Sequence, residues 1–274
     1  MGRVVVVLGD VGGRVRARRR DAGSVVLTAR DAVLLEIAAH QYGLPLDLLS
    51  DVLGVSAQAV HAVVGRWRRA GWVRTGKVDA GAMWVWPSRT LARELLGWDV
   101  PGWMPRPTVS GHVRAVAATR LYRVGLEVGR WVSERELQHR TGWRPRGAPV
   151  PHMPDGVEIF PDGRRVLVEV ELSRKTRSRY LEPPPVNGGA DMVKGLLSTV
   201  VERARELDCV GVMYWCAPNV LKQVQDVVGE FVERDRARRA RARDPEAWGA
   251  EVRWAIRDIS EVPCWEPGPH RSAR

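Results

Sequence analysis

The apolar positions of this chain change period several times, and those changes mark its elements. Val33, Leu34, Ile37 and Ala38 recur at helical spacing behind Thr28, a helix-capping residue with Asp31 three positions on. Gly43 ends that helix, Leu46–Leu53 forms a short second one, and Gly54 closes it. Ser56 opens a third helix with a stripe of Val60, Val63, Val64 and Trp67, and Gln58, His61 and Arg69 lie along its opposite side. Trp72–Thr75 and Ala82–Trp86, separated by a turn at Gly76–Gly81, read as a two-stranded hairpin. Ser88–Leu96 is a short helix, and the proline-rich stretch Gly97–Thr108 reads as a linker.

A second set of elements follows. His112–Val128 is helical, and Ser133-Glu134-Arg135-Glu136 opens a helix in a capping-box pattern, with Glu136 as the capping acid. Val157–Phe160 and Val166–Leu172 are strands joined by the turn Pro161-Asp162-Gly163. In the second strand Leu167, Glu169 and Glu171 share one face, because side chains alternate along a strand. Asp191–Leu207 is a helix, Val210–Cys216 an apolar strand, Val220–Asp235 a helix and Val252–Ile259 a last strand. The segment Glu230–Arg243 alternates arginine with acid, as an exposed helix end with internal ion pairs does.

Composition narrows the partners. The 274 residues carry 43 Lys plus Arg against 32 Asp plus Glu, a formal charge of +11. That charge points first to nucleic acid and second to an anionic membrane surface. No run of about 18 apolar residues occurs, so no bilayer span and no membrane partner are expected. Cys209, Cys216 and Cys264 are too scattered for a disulfide framework or a zinc site, and the expected compartment is the cytoplasm. Residues 1–24 hold Arg14, Arg16, Arg18, Arg19 and Arg20 among glycines. They read as a flexible basic arm, either simply disordered or tracking DNA phosphates.

Helix, short helix, helix and hairpin, with the string LLSDVLGVSAQAVHAVVGRWRRAGWV, resemble the winged helix-turn-helix domains of bacterial transcription regulators between Thr28 and Trp86. The resemblance implies double-stranded DNA as partner. Gln58 and His61 would read bases, and Arg66, Arg68, Arg69 and Lys77 would lie on phosphates. Trp84 and Trp86 on the wing are candidates for stacking on a partner, and a homodimer would demand a two-fold DNA site.

The stretch HMPDGVEIFPDGRRVLVEVELSRKT, residues 152–176, brings Asp155, Glu169 and Glu171 to one end of a hairpin. Unpaired, such carboxylates repel one another, and a hard cation such as Mg²⁺ or Mn²⁺ relieves that repulsion. Alternatives remain at this level: Asp155 capping a turn, or Glu169 and Glu171 as the exposed face of an edge strand. The pattern of PD before one strand and ExE on the next resembles the PD-(D/E)xK nuclease superfamily from Trp131 to Ile259. That resemblance implies a mixed-sheet α/β (α+β) domain with metal on Asp155 and Glu169, and Glu134 completing the site from a helix. Glu171 occupies the family's Lys position, as in some restriction enzymes, and Lys175 is placed to supply the missing ammonium.

Together the two parts look like the replication-relaxation family of actinobacterial and plasmid proteins, and like mobilisation relaxases built on a restriction-endonuclease fold. His112, the PDG at 154–156 and VEVELSRK at 168–175 carry the likeness. The implied organisation is an arm (1–24), a winged helix (25–97), a linker (98–111), a restriction-endonuclease-like domain (112–264) and a tail (265–274). The implied function is a metal-dependent DNA nickase or relaxase in plasmid or mobile-element replication or transfer, working with that element's proteins. The alternatives are a non-catalytic DNA-binding regulator or replication accessory factor on a degenerate nuclease fold, and a restriction-type defence nuclease. Arg174 or Lys175 would stabilise phosphorane charge, His152 is a structural or proton-shuttling neighbour, and Tyr180 is the tyrosine nearest the carboxylates for covalent attack.

Overall fold

Thr28 caps the first helix as its hydroxyl predicts: Oγ1 accepts the Asp31 N–H at 3.1 Å and opens α1, Ala29–His40. The computed structural model describes residues 26–78, 81, 83–100, 106–142, 152–181, 195–241 and 251–266. The proposed arm (1–24) lies outside the described residues, as do most of the tail and part of the linker.

A two-residue strand, β1 (Leu44–Pro45), precedes α2 (Leu46–Leu53), which ends at Gly54 in the left-handed conformation. Ser56 caps α3 (Ala57–Arg69), and Val60, Val64 and Trp67 form its buried stripe. Strands β2 (Val73–Lys77) and β3 (Met83–Pro87) follow, then α4 (Arg89–Leu96) behind the capping Ser88. The sheet is antiparallel in the order β1-β3-β2, so the hairpin gains a third strand that no alternation in the sequence announced. Gly76 and Lys77 belong to β2, which moves the turn later than expected. Trp84 and Trp86 are 1% and 9% exposed, so they pack inward and are not free to stack on a partner.

The second half opens with α5 (Pro107–Val124), with Pro107 in its first turn, where a missing N–H costs nothing. It starts five residues before the expected His112 and ends at Val124. Arg120, 2% exposed, turns back onto the carbonyls of Gly125 and Glu127 just past its end. Next come β4 (Trp131–Ser133), α6 (Glu134–Thr141), β5 (Gly156–Ile159), β6 (Arg165–Glu171) and a single turn, α7 (Arg177–Tyr180). The chain then runs through α8 (Leu196–Glu206), β7 (Cys209–Cys216), α9 (Pro218–Arg241) and β8 (Arg253–Asp258). Residues 191–194 of the expected helix lie outside the described residues.

The larger sheet has five strands in the order β4-β5-β6-β7-β8. β4, β5 and β6 form an antiparallel meander, and β7 and β8 join it in parallel. β6 is therefore central. Glu169 and Glu171 on it are 9% and 4% exposed, which overturns the alternative of an exposed edge face. The end of α9 is laced by ion pairs as expected, Arg239 to Asp235 at 2.7 Å and Arg234 to Glu230 at 2.5 Å. All three cysteines are free thiols.

The two halves are pinned to each other by polar contacts. The Arg114 guanidinium of α5 donates to both oxygens of Asp47 on α2, at 3.0 and 2.6 Å, and to the Cys264 carbonyl at 2.8 Å. Arg135 of α6 donates to the Ala39 carbonyl of α1 at 2.7 Å, and His40 Nδ1 meets Ser133 Oγ at 3.0 Å. Burial, helped by the charges of Arg120 and Arg135, lowers the His40 pKa from 6.5 to about 4. The unfolded chain takes up that proton near pH 6.5 and the folded chain only near about 4, so the folded state loses stability as pH falls through this window. Thermal melts from pH 7.5 to 4.5 are expected to show up to about 3 kcal/mol of this loss in the native chain. In His40→Gln, which keeps a hydrogen-bonding partner for Ser133, that component should vanish. Parallel pH profiles of the two proteins would count against the assignment.

Candidate functional site

The acidic cluster is built around the start of β5 and the second half of β6. Asp155 immediately precedes β5, and its Oδ2 accepts the N–H of Val170 at 2.7 Å. That bond fixes the carboxylate beside Glu169 and Glu171. Gly156 makes the close packing possible: a Cβ there would lie 2.3 Å from the indole of Trp131, a buried side chain of β4. Glu169 stands opposite Tyr214 of β7, and Glu171 opposite Cys216.

These residues line a cleft of about 310 Å³, joined by Glu134 from the first turn of α6, His112 from α5, His152, and Lys175. Asp155, Glu169, Glu171, Lys175 and Glu134, all selected from sequence as site residues, are thus brought together. Each acid already has a protein partner. Asp155 Oδ1 meets His112 Nε2 at 2.7 Å, and Glu169 Oε1 meets His152 Nε2 at 2.5 Å. Glu134 Oε1 accepts from Gln138 at 2.7 Å. Glu171 pairs with Lys175 and accepts from the Tyr180 hydroxyl at 3.3 Å.

The electrostatics follow from burial against pairing. Burial raises the pKa of Glu169, and the hydrogen bond and charge of His152 oppose that rise without cancelling it. Glu134 is raised by burial and by the negative charge of Asp155. Burial works to lower both histidines, but contact with Asp155 for His112 and with Glu169 for His152 outweighs it, and both pKa values rise. The cleft therefore retains protons on its histidines and on Glu169 more readily than solvent-exposed groups would.

Among the described residues, no three His, Cys, Asp or Glu side chains form a ready-made metal cage. Mg²⁺ needs only one or two carboxylates, with water and phosphate oxygens completing its shell. Asp155 and Glu169 meet that requirement chemically, provided that His112 and His152 yield their places on the carboxylate oxygens.

His112 carried part of the family likeness but no assigned role. It lies 43 residues before Asp155, on α5, and no local pattern ties the two. Arg174 turns away, donating to the Asn219 carbonyl at 3.0 Å, which leaves Lys175 as the Lys or Arg lining the cleft among the described residues. Tyr180 is fully buried, and burial together with Glu171 raises its pKa, so it serves as a hydrogen-bond donor to that carboxylate. Glu136 directs its carboxylate to Arg140 and leaves capping to Ser133, whose Oγ accepts the Glu136 N–H at 3.2 Å.

On the other half, Gln58, His61, Arg68 and Arg69 are exposed on α3, and Lys77 is exposed at the end of β2. Arg66, expected on phosphates, instead grips Asp31 at 2.6 Å, and that carboxylate is 0% exposed. Removing Arg66 would leave a buried charge, with only Arg30, at 3.5 Å, to compensate among the described residues. Arg66→Ala is therefore expected to cost about 2–3 kcal/mol in urea denaturation, somewhat below the usual cost of breaking a buried pair because Arg66 itself is partly exposed. Arg68→Ala should leave stability within about 0.5 kcal/mol. Equal stability of the two variants would rule out the anchoring role.

No family model, no curated protein and no solved structure matches this chain. Among the described residues, no single helix is long and apolar enough to cross a membrane.

Proposed function

We propose that this chain is a DNA-binding protein that cuts one strand of DNA with the help of Mg²⁺ or Mn²⁺, in the replication or transfer of a plasmid or other mobile element. One observation carries the reading. Asp155, Glu169, Glu171, Glu134 and Lys175, drawn from separate elements, line one cleft on the central strand of a mixed sheet. An antiparallel meander joined in parallel to further strands is also the arrangement that a PD-(D/E)xK nuclease would need. The first half supports a winged helix, with α3 exposing Gln58, His61, Arg68 and Arg69 for the major groove and β2–β3 as the wing.

Asp155 and Glu169 would hold the cation. When bound, it polarises the scissile phosphate and acidifies an attacking water. The chain's own groups do the rest. The Val170 N–H holds Asp155 in place, and Lys175, in the same cleft, would stabilise the phosphorane charge. His152, next to Glu169, is placed to hold or pass a proton at Nε2.

A second reading has its own observation. Each acid in the cleft is already satisfied by a histidine, an amide or Lys175, as it would be in a binding module on a retired nuclease fold. Supercoiled plasmid from the chain's genetic neighbourhood, incubated with protein and Mg²⁺ or Mn²⁺, separates the readings. Open circles that disappear with chelator support the nickase. Linear DNA supports a restriction-type nuclease. Intact supercoils with a clear gel shift support the non-catalytic DNA-binding factor.

A further inference from the structure

A second concavity lies between the hairpin and the helices, away from the acidic cluster. It measures about 230 Å³, and its walls are Trp86, Tyr42, Pro87, Val100, Ala38 and Ala92. Three guanidiniums, Arg74, Arg89 and Arg135, also line it, and among the described residues no acidic side chain does. An apolar pocket ringed by arginines is selective for a group that joins an apolar body to negative charge.

The chain places each part for a reason. Arg74 and Trp86 are directly paired across β2 and β3, so both project from the same face of the sheet. Arg89 begins α4, where its guanidinium reaches Asp99 at 2.7 Å, with both side chains 62% exposed. Such an exposed pair yields readily to a doubly charged phosphate. Arg74 is exposed and makes no ion pair with a described residue. Arg135 is 7% exposed and stacks its guanidinium 5.0 Å from the centre of the Tyr42 ring, which fixes a cation in the wall. The volume lies below the range of about 300–1,000 Å³ for sites that take drug-sized ligands, and suits a single base with its phosphate.

We infer that this pocket binds a nucleoside monophosphate, either free or as the terminal nucleotide of a DNA strand. The base fills the apolar space beside Tyr42, Pro87 and Val100, and the phosphate meets Arg74 and Arg89. The pocket is separate from the acidic cleft but adjoins it. Tyr42 also lines a small crevice shared with His112, Glu134 and Asp155, and Arg135 directly follows Glu134 on α6. The inference does not require that the cleft be catalytic.

Calorimetric titration of the full chain in chelator tests it, with dAMP, with a 5′-phosphorylated single-stranded oligonucleotide, and with the same oligonucleotide lacking the phosphate. The expected result is one site per chain for dAMP or for the phosphorylated oligonucleotide, weakened at least tenfold in Arg74→Glu and in Arg89→Glu. Both substitutions are at exposed positions and should leave the thermal melt unchanged. Tight dAMP binding identifies a free nucleotide as the source. Binding of the phosphorylated strand alone identifies a strand end. Asp155→Ala should bind as the native chain does, so the pocket is tested whether or not DNA is cut. No binding of either phosphorylated ligand, or equal affinity in the native chain and both Arg variants, overturns the inference.

Discussion

Asp155→Ala and Glu169→Ala are each expected, on the proposed nickase reading, to lower the rate of plasmid nicking by a factor of about a thousand or more, while DNA affinity in a gel shift stays within about twofold. The size follows from what each group holds. Asp155 is tied by Val170 N–H at the head of β5, and Glu169 sits buried on the central strand, so neither can be replaced by a neighbour swinging in. Binding should survive, because the exposed α3 residues belong to the other half of the chain. Each substitution leaves one histidine without its carboxylate, so fold stability must be checked alongside activity. Asp155→Asn and Glu169→Gln keep shape and hydrogen bonding while removing charge, and they should be as inactive as the alanine variants. Activity retained in the amide variants would sink a metal role for these carboxylates. Lys175→Ala is expected to lose less, because Lys175 would only add charge stabilisation to a reaction that the cation would carry.

Gly156→Ala is expected to destabilise the protein more than other surface or core changes of its size. A single added methyl would stand 2.3 to 2.6 Å from three atoms of the Trp131 indole. That ring is 4% exposed on the neighbouring strand and cannot move aside without opening the core. Overpacking of this kind costs about 1–3 kcal/mol and occasionally more, and here the clash is with a rigid ring, so about 3 kcal/mol is expected in chemical denaturation. The same change would displace Asp155, one residue earlier, so nicking should fall with stability. Gly129→Ala provides the control, since a methyl there meets nothing within 4 Å. A Gly156→Ala protein as stable as the native chain would show that Trp131 has room to shift.

Local sequence signals reached far into this fold. Thr28, Ser56 and Ser133 each cap a helix through the expected side-chain oxygen, and Ser88 does the same for α4, because capping depends only on residues within one turn. Gly54 and Gly97 end helices in the left-handed conformation for the same local reason. The hairpin around Pro161-Asp162-Gly163 was equally legible, and so was the shared face of Glu169 and Glu171, since strand alternation is a property of the backbone alone. Short elements were not legible. β1, β4 and α7 span two to four residues, too few for any period to show, and they exist because neighbouring strands or helices complete their hydrogen bonds and packing.

Pairing across the chain was decided by tertiary structure alone. Nothing near Arg66 indicates that Asp31, 35 residues earlier, would claim its guanidinium, and that contact separates Arg66 from Arg68 and Arg69 beside it. Nothing near Asp155 indicates His112, and β6 becomes central only when β7 returns beside it from beyond α8. The sequence by itself determined which residue types stand where along each helix and strand: the +11 charge, the arginines of α3 and the acids of β6. Only the tertiary structure decided which of those charges are buried, which are neutralised by a partner and which remain free to act. The energy of a charge depends on its distance to other charges and to water, and those distances are set when the chain closes on itself.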